Sequence, residues 1–355
     1  VPNDFSPLEL QMMRRCLQLA ALGAGAVAPN PMVGAVLVYE GRIIGEGWHR
    51  QYGGPHAEID CLASVREADK PLIPHATIFV SLEPCAHYGK TPPCSLRIIQ
   101  ERIPEVVIAC SDPFPAVDGK GIEQLRQAGV RVRTGALEQE AIRLNRRFFT
   151  LHREQRPYFV LKWAETLNGK ISGPGGASLA ISGELTRRLV HRWRSEEAAI
   201  MVGRRTVEAD DPALTTRCWI GRDPVRIIAD SRLQLSRDRR VFAPGTKVIV
   251  LNTIKEATEG HIHYIQLPDT RDPGPALRRL ADLGIQSILV EGGAALLSSF
   301  MRYGYADEVR RIVSGGVRAA DGTEAPVIPQ EAFRQMTETR LGADTLTIFE
   351  RKTDG

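Results

Sequence analysis

The sequence predicts an α/β protein in two domains, and three observations carry that expectation. Apolar strand-like runs alternate with helix-patterned segments along the chain. The pattern is interrupted by the arginine-rich stretch RLNRRFFTLHREQRP at 143–157 and then begins afresh. At 355 residues the chain is also long for a single core. The boundary is expected near residue 150, giving domains over 1–150 and 151–355, and the charge run itself reads as a solvated helix face.

Composition narrows the class. The chain is 43% hydrophobic, enough for two real cores. No apolar run approaches membrane-spanning length, and VPNDFSPLELQMM lacks a charged-then-apolar signal pattern. Six cysteines in a chain of this size do not form a disulfide framework. Cys16, Cys61 and Cys110 fall in apolar-patterned segments and are expected as buried thiols, which suits a reducing compartment and a cytoplasmic enzyme. The net charge is +4, but residues 1–150 carry 16 basic and 16 acidic side chains, so the excess lies entirely in the second half. A nucleic-acid enzyme would show a basic footprint near its catalytic motif. A small-molecule substrate is favoured over nucleic acid or membrane.

In the first half, Leu8, Met12, Met13, Cys16, Leu19 and Ala20 recur at helical spacing, with Gly23 and Gly25 to end the helix. VGAVLVY and IIGEGWH read as two strands joined at Glu40-Gly41. PHAEIDCLASV then opens a helix, ATIFVSLEPC is a strand ending at Cys85, and Pro92-Pro93 introduce a helix from Cys94. Strand VVIACSD, helix GIEQLRQAG and strand VRVRTG complete the domain.

This half contains a metal site in two pieces. His56, Cys85 and Cys94 supply one imidazole and two thiols, which suit a tetrahedral Zn²⁺ with its fourth position left for water. Two residues along a helix rotate the side chain by about 200°, so Glu58 is no fourth ligand and is placed instead to move protons. A structural zinc site would supply four ligands and would not need the glutamate. The helix start at Cys94 is expected to favour its thiolate. The H-x-E…P-C arrangement is the signature of zinc deaminases of amino-heterocycles, although eight residues separate the two cysteines here where many such enzymes have two.

The second half begins with strand YFVLKWA, a glycine-rich loop and helix GELTRRLVHRWRSE. Strands AAIMVG, VRIIAD, KVIVLN and SILVEG follow, with a helix at 274–283 before the last of them. Helix AALLSSFMRYG and strands DEVRRIVSG and TLTIFER close the chain. SILVE runs into Gly292-Gly293 and a helix, a join that offers free N–H groups to a phosphate but is equally common in structural roles. VGRRTVEADDPALTTR brings Thr206, Asp210 and Asp211 near Arg204, Arg205 and Arg217, with Arg194 upstream. These arginines suit an anionic ligand, and the residues alone indicate no more than an anion-binding α/β domain.

Taken together, APNPMVGAVLV, GEGWH, PHAE, SLEPCAHYGKTPPC, LKWAETLNGKIS, ADDPALTTR and VEGGAALL make the chain resemble the bifunctional deaminase/reductase family of riboflavin biosynthesis, the RibD/RibG family. The resemblance covers nearly the whole chain in the family's domain order. The eight-residue cysteine spacing with GKTPPC is that family's form of the zinc loop. It implies a cytidine-deaminase-like first domain holding one Zn²⁺ and a dihydrofolate-reductase-like second domain using NADPH. It also implies phosphorylated pyrimidine substrates and a homo-oligomer. By motif, His56, Cys85 and Cys94 are the implied zinc ligands and Glu58 the proton shuttle, with Asn30, His49 and Lys90 as deaminase substrate contacts. The implied NADPH contacts are Ala164, Thr206, Asp210, Ser231, Gly293, Ala294, Ala295, Leu296, Leu297, Ser298 and Ser299. Lys162, Ser178, Arg194, Leu214, Arg217 and Glu291 match substrate-side positions, with Arg194 and Arg217 as phosphate partners. SLAIS departs from the pattern, with Ala180 where some relatives have tryptophan. The competing reading is a zinc deaminase of another amino-heterocycle with an inactive reductase-like half.

Overall fold

The computed structural model describes residues 5–352, apart from 87, 89–91 and 116. The chain divides into two compact units, residues 1–154 and 155–355.

The first unit runs α1 (Pro7–Ala21), β1 (Gly34–Tyr39), β2 (Arg42–Trp48), α2 (Ala57–Ala63), β3 (Thr77–Val80), α3 (Cys94–Gln100), β4 (Glu105–Ile108), α4 (Lys120–Gln127), β5 (Arg131–Thr134), α5 (Glu138–Leu144) and α6 (Arg146–Glu154). Ser6 starts α1 through a capping box with Glu9. The sheet order is β2-β1-β3-β4-β5, with β1 antiparallel to both neighbours and β3, β4 and β5 parallel. Strand periodicity sends Leu37, Ile78, Val80 and Val106 to one face, where α2, α3 and α4 cover them. Val36, Val38, Phe79 and Val107 face the other layer, against α1 and α6. The helix α6, expected as a solvated helix face, buries Phe148, Phe149, Thr150 and Leu151, leaves Arg146 and Arg147 half-buried and exposes Arg153 and Glu154.

The second unit runs β6 (Tyr158–Glu165), α7 (Glu184–Glu196), β7 (Ala199–Gly203), α8 (Arg204–Asp210), β8 (Val225–Ala229), β9 (Val248–Asn252), β10 (Ala257–Glu259), β11 (Ile262–Gln266), α9 (Gly274–Asp282), β12 (Ser287–Val290), α10 (Ala294–Arg302), β13 (Glu308–Val313), β14 (Phe333–Leu341) and β15 (Asp344–Arg351). Its sheet order is β10-β11-β9-β8-β7-β12-β6-β13-β15-β14. The strands from β11 to β13 are parallel, and antiparallel pairs close both edges. Phe159, Leu161, Met201, Ile288 and Val290 pack against α9 and α10, while Val160, Leu289 and Ile312 pack against α7. Strands β10, β11 and β14 were not among the expected elements. β14 is mostly exposed along its length and shows no apolar face to read. Among the described residues no helix is long and apolar enough to cross a membrane.

Candidate functional site

Two glycines of β2, Gly45 and Gly47, set the position of the first site. A Cβ on Gly47 would lie 2.2 Å from the Cys61 nitrogen, and one on Gly45 would lie 2.7 Å from the Cys61 carbonyl. The strand can therefore seat α2 directly on its backbone. Asp60 fastens the pair, accepting from the Trp48 N–H at 3.2 Å and ion-pairing with Arg50 at 3.0 Å. His56, the N-cap of α2, is then carried to the sheet end where β3 delivers the Cys85 loop.

The ligand atoms of His56, Cys85 and Cys94 lie within 4.8 Å of one another. His56 Nδ1 faces both sulfurs, 3.6 Å from Cys85 Sγ and 3.3 Å from Cys94 Sγ. One imidazole and two convergent thiols fit a catalytic zinc with an open position. Among protein groups alone, the Cys85 thiolate side of the cluster holds His56 up to about 9. The helix start at Cys94 also reaches the other sulfur of the pair. The Cys94 main-chain N–H donates to Cys85 Sγ at 3.3 Å. With the Cys94 thiol as its main partner, Cys85 is lowered, while Cys94 is raised by that same partner and by burial. The helix start thus serves the neighbouring sulfur.

Glu58 is buried, and burial raises its carboxyl pKa. His49 is buried beside His56, with ring centroids 5.6 Å apart. Its Nδ1 is 2.8 Å from the Pro55 carbonyl, which only accepts, so Nδ1 carries the proton. Nε2 is then the acceptor for the Asn30 amide at 3.1 Å. Burial keeps this imidazole neutral by lowering its pKa. Asn145 was missed by the sequence reading because it lies in the arginine-rich stretch. Its amide clamps both polar groups of Met32 at 2.8 Å, two residues from Asn30. Lys90 lies outside the described residues.

The second unit holds a cavity of about 1000 Å³. Lys162, Ala164, Ser178, Thr206, Asp210, Glu291, Gly293, Ala294, Ala295 and Leu297 line it, together with Arg205. Arg194, Leu214, Arg217, Ser231, Leu296, Ser298 and Ser299 lie outside the lining. The Leu214 side chain is buried in the core beside Ile200 and Val207. Gly292 lets the chain pass close to Thr206, since a Cβ there would come within 2.8 Å of the hydroxyl. That glycine cradle at the start of α10 fits the phosphates of a dinucleotide. Glu291 lies at the cavity wall, gripped by Arg194 through two hydrogen bonds of 2.8 Å, with Lys162 Nζ at 3.8 Å. Burial would raise this carboxyl, but Arg194 and Lys162 bring it down to about 2. Arg194 also donates to the Thr215 carbonyl at 3.1 Å. Its guanidinium, expected on a substrate phosphate, is turned onto protein acceptors.

Known proteins are similar to both units. Residues 8–110 match the family described as the cytidine and deoxycytidylate deaminase zinc-binding region, and residues 157–345 match the RibD C-terminal domain. The riboflavin biosynthesis protein RibD of Aquifex aeolicus is 37% identical, over 97% of this chain and 99% of that one. The Bacillus amyloliquefaciens protein of the same name is 37% identical over 93% and 91%. Among solved structures, a Thermotoga maritima diaminohydroxyphosphoribosylaminopyrimidine deaminase/5-amino-6-(5-phosphoribosylamino)uracil reductase superimposes with a TM-score of 0.88. It is 37% identical and covers 97% of this chain and 99% of its own. Acinetobacter baumannii RibD gives 0.87 at 30% identity, covering 98% and 99%. With the two sites, the two matched regions and full-length similarity in agreement, the chain belongs to the RibD family of riboflavin biosynthesis proteins.

Proposed function

We propose that the chain performs two successive steps of riboflavin biosynthesis, one in each unit. The first unit hydrolyses the 2-amino group of 2,5-diamino-6-(5-phosphoribosylamino)pyrimidin-4-one. The second uses NADPH to reduce the ribosyl group of 5-amino-6-(5-phosphoribosylamino)uracil to ribityl. The observation that carries the reading is the convergence of His56, Cys85 and Cys94, with the buried carboxyl of Glu58 two residues after His56 in the first turn of α2.

His56, Cys85 and Cys94 would hold zinc, whose Lewis acidity makes water a nucleophile near neutral pH. The proton work falls to Glu58. Its raised pKa suits a carboxyl that takes the proton of the attacking water and returns it to the ring nitrogen and the leaving amine. Neutral His49 fixes the Asn30 amide by accepting from its nitrogen, which leaves the Asn30 carbonyl oxygen for the substrate ring. Lys90 is assigned to the same substrate from the motif it belongs to.

In the second unit NADPH supplies the hydride, and the chain's task is to hold two ligands in contact. Gly293, Ala294 and Ala295 with Thr206 and Asp210 take the cofactor side, and Lys162, Ser178 and Glu291 the ribose side. Ala164, Ser231, Leu296, Leu297, Ser298 and Ser299 are assigned to the cofactor by motif, and Leu214 to the substrate. Arg204 is ion-paired with Glu208, whereas Arg205 lines the cavity and suits the cofactor's 2′-phosphate. Exposed Arg217 is left for the substrate phosphate, and Arg194 acts by orienting Glu291. The balanced charge of the first half supports free cytoplasmic metabolites as substrates, for a homo-oligomeric enzyme.

The Glu58→Gln variant tests the first site. It should bind zinc like the parent and release ammonia at least ~10²-fold more slowly. Parental turnover by a zinc-loaded variant would sink the mechanism. The second site is tested by offering 5-amino-6-(5-phosphoribosylamino)uracil and following NADPH absorbance. Oxidation that depends on that substrate is expected; its absence from folded protein leaves a lone deaminase.

A further inference from the structure

We propose that Glu83 is a positioning residue for Cys85, holding the Pro84–Cys85 segment against the start of α4 through a carboxylate occupied by main-chain donors. The proposal rests on the reading of His56, Cys85 and Cys94 as a zinc site.

Glu83 is 4% exposed, two residues before the ligand. Its Oε1 accepts from the N–H groups of Gly121 at 2.9 Å and Ile122 at 3.2 Å. Its Oε2 accepts from Gly119 at 3.0 Å and Asp112 at 3.3 Å. The donors come from two places, the loop that follows β4 and the N-cap and first turn of α4. One carboxylate therefore ties three pieces of chain together at the ligand's doorstep. The approach is close because residue 121 is glycine: a Cβ there would lie 1.9 Å from the Pro84 carbonyl oxygen.

Cys85 is held from its other side by α3. Its carbonyl accepts the Ser95 N–H at 3.2 Å and lies 2.8 Å from Ser95 Oγ, which is also 2.6 Å from Gln124 Oε1 on α4. The ligand residue is thus pinned on one side through Ser95 and on the other through Glu83. Losing a group that orients a metal's ligands in this way typically costs about 10- to 100-fold in metal affinity. Only a carboxylate meets the demand at position 83. A glutamine would aim its NH₂ group at two N–H donors whichever way it turned.

The Glu83→Gln variant separates positioning from mere stability. Zinc affinity is read by competition with a chromophoric chelator, and ligand geometry by the thiolate-to-cobalt absorption of Co²⁺-loaded protein. NADPH oxidation by the same chain reports that the second unit is intact. The expected result is a zinc affinity lower by about 10- to 100-fold with an altered cobalt spectrum. A Glu83→Asp variant, which keeps the charge but withdraws it, should fall between. Folded Glu83→Gln protein with parental affinity and spectrum overturns the proposal, even if it melts earlier. Should Glu83→Gln fail to fold, Glu83→Asp decides by the same two readouts. Failure of both to fold assigns Glu83 to the fold and overturns the proposal too. Parent protein lacking thiolate-to-cobalt absorption would instead overturn the zinc reading itself.

Discussion

Glu291 keeps its charge in surroundings that would neutralise it if Arg194 and Lys162 were absent. Its pKa of about 2 lies below the ordinary 4.5, so its ionisation contributes stability that is complete above pH 4.5 and lost as the pH falls toward 2. His191 adds to the same limb. Burial, Arg194 and Arg217 lower it to about 4 from 6.5, so its neutral form contributes stability above pH 6.5 that is lost as the pH falls through 4. The second unit should therefore weaken steadily in acid from pH 6.5 downward, as followed by denaturant unfolding at stepped pH. Glu291→Gln leaves two buried cations facing each other and should cost about 3–5 kcal/mol at pH 7. It should also flatten the limb below pH 4.5; an unchanged midpoint and slope would remove the cluster from any role in stability. None of this was legible in the sequence, because Arg194 and Glu291 are 97 positions apart. The convergence of His56, Cys85 and Cys94 was legible, since each sits in a local motif that suggests its own chemistry. Glu83, in the same motif, was not, because its partners are main-chain groups that carry no sequence mark.

Among elements, the seat of α2 on β2 is the most demanding contact. Gly47→Ala would drive a methyl group into the α2 backbone, with the Cys61 nitrogen 2.2 Å away and the Ala57 carbonyl 2.7 Å away. Neither can move without carrying the helix, so the variant should lose about 1–3 kcal/mol. Ammonia release should fall with it, while NADPH oxidation on the uracil substrate stays at the parental rate. Equal loss of both activities would argue against a local displacement of His56 and Glu58. Strand pattern and turn chemistry made β1, β2 and the Glu40-Gly41 turn readable, and both turn residues do adopt positive φ. The same approach failed at β10, a three-residue edge strand, and at β14. Edge strands need no apolar face, and FRQMTETRL offers almost none.

For the whole molecule, the arrangement of two chemistries on two compact units makes metal dependence a dividing line. Treatment with 1,10-phenanthroline should abolish ammonia release and leave NADPH oxidation intact, and zinc should restore the first. Joint loss of both rates, restored together, would contradict separate sites. The two sheets also differ in how far along the chain their strands are drawn. The first sheet is complete once β5 ends at Thr134, all its strands coming from one short span. The second opens with β6, whose neighbours β12 and β13 begin only at Ser287 and Glu308. Helix α7 waits longer still, since its first turn is capped by Asp344, which accepts from the Gly183 N–H at 2.8 Å and the Thr186 hydroxyl at 2.6 Å. On the ribosome, then, the deaminase can assemble while most of the reductase is still untranslated. The nascent reductase must carry β6 as an unpaired apolar strand through some 130 residues of synthesis, so a message truncated late in its reading frame would yield a working deaminase tethered to an aggregation-prone tail.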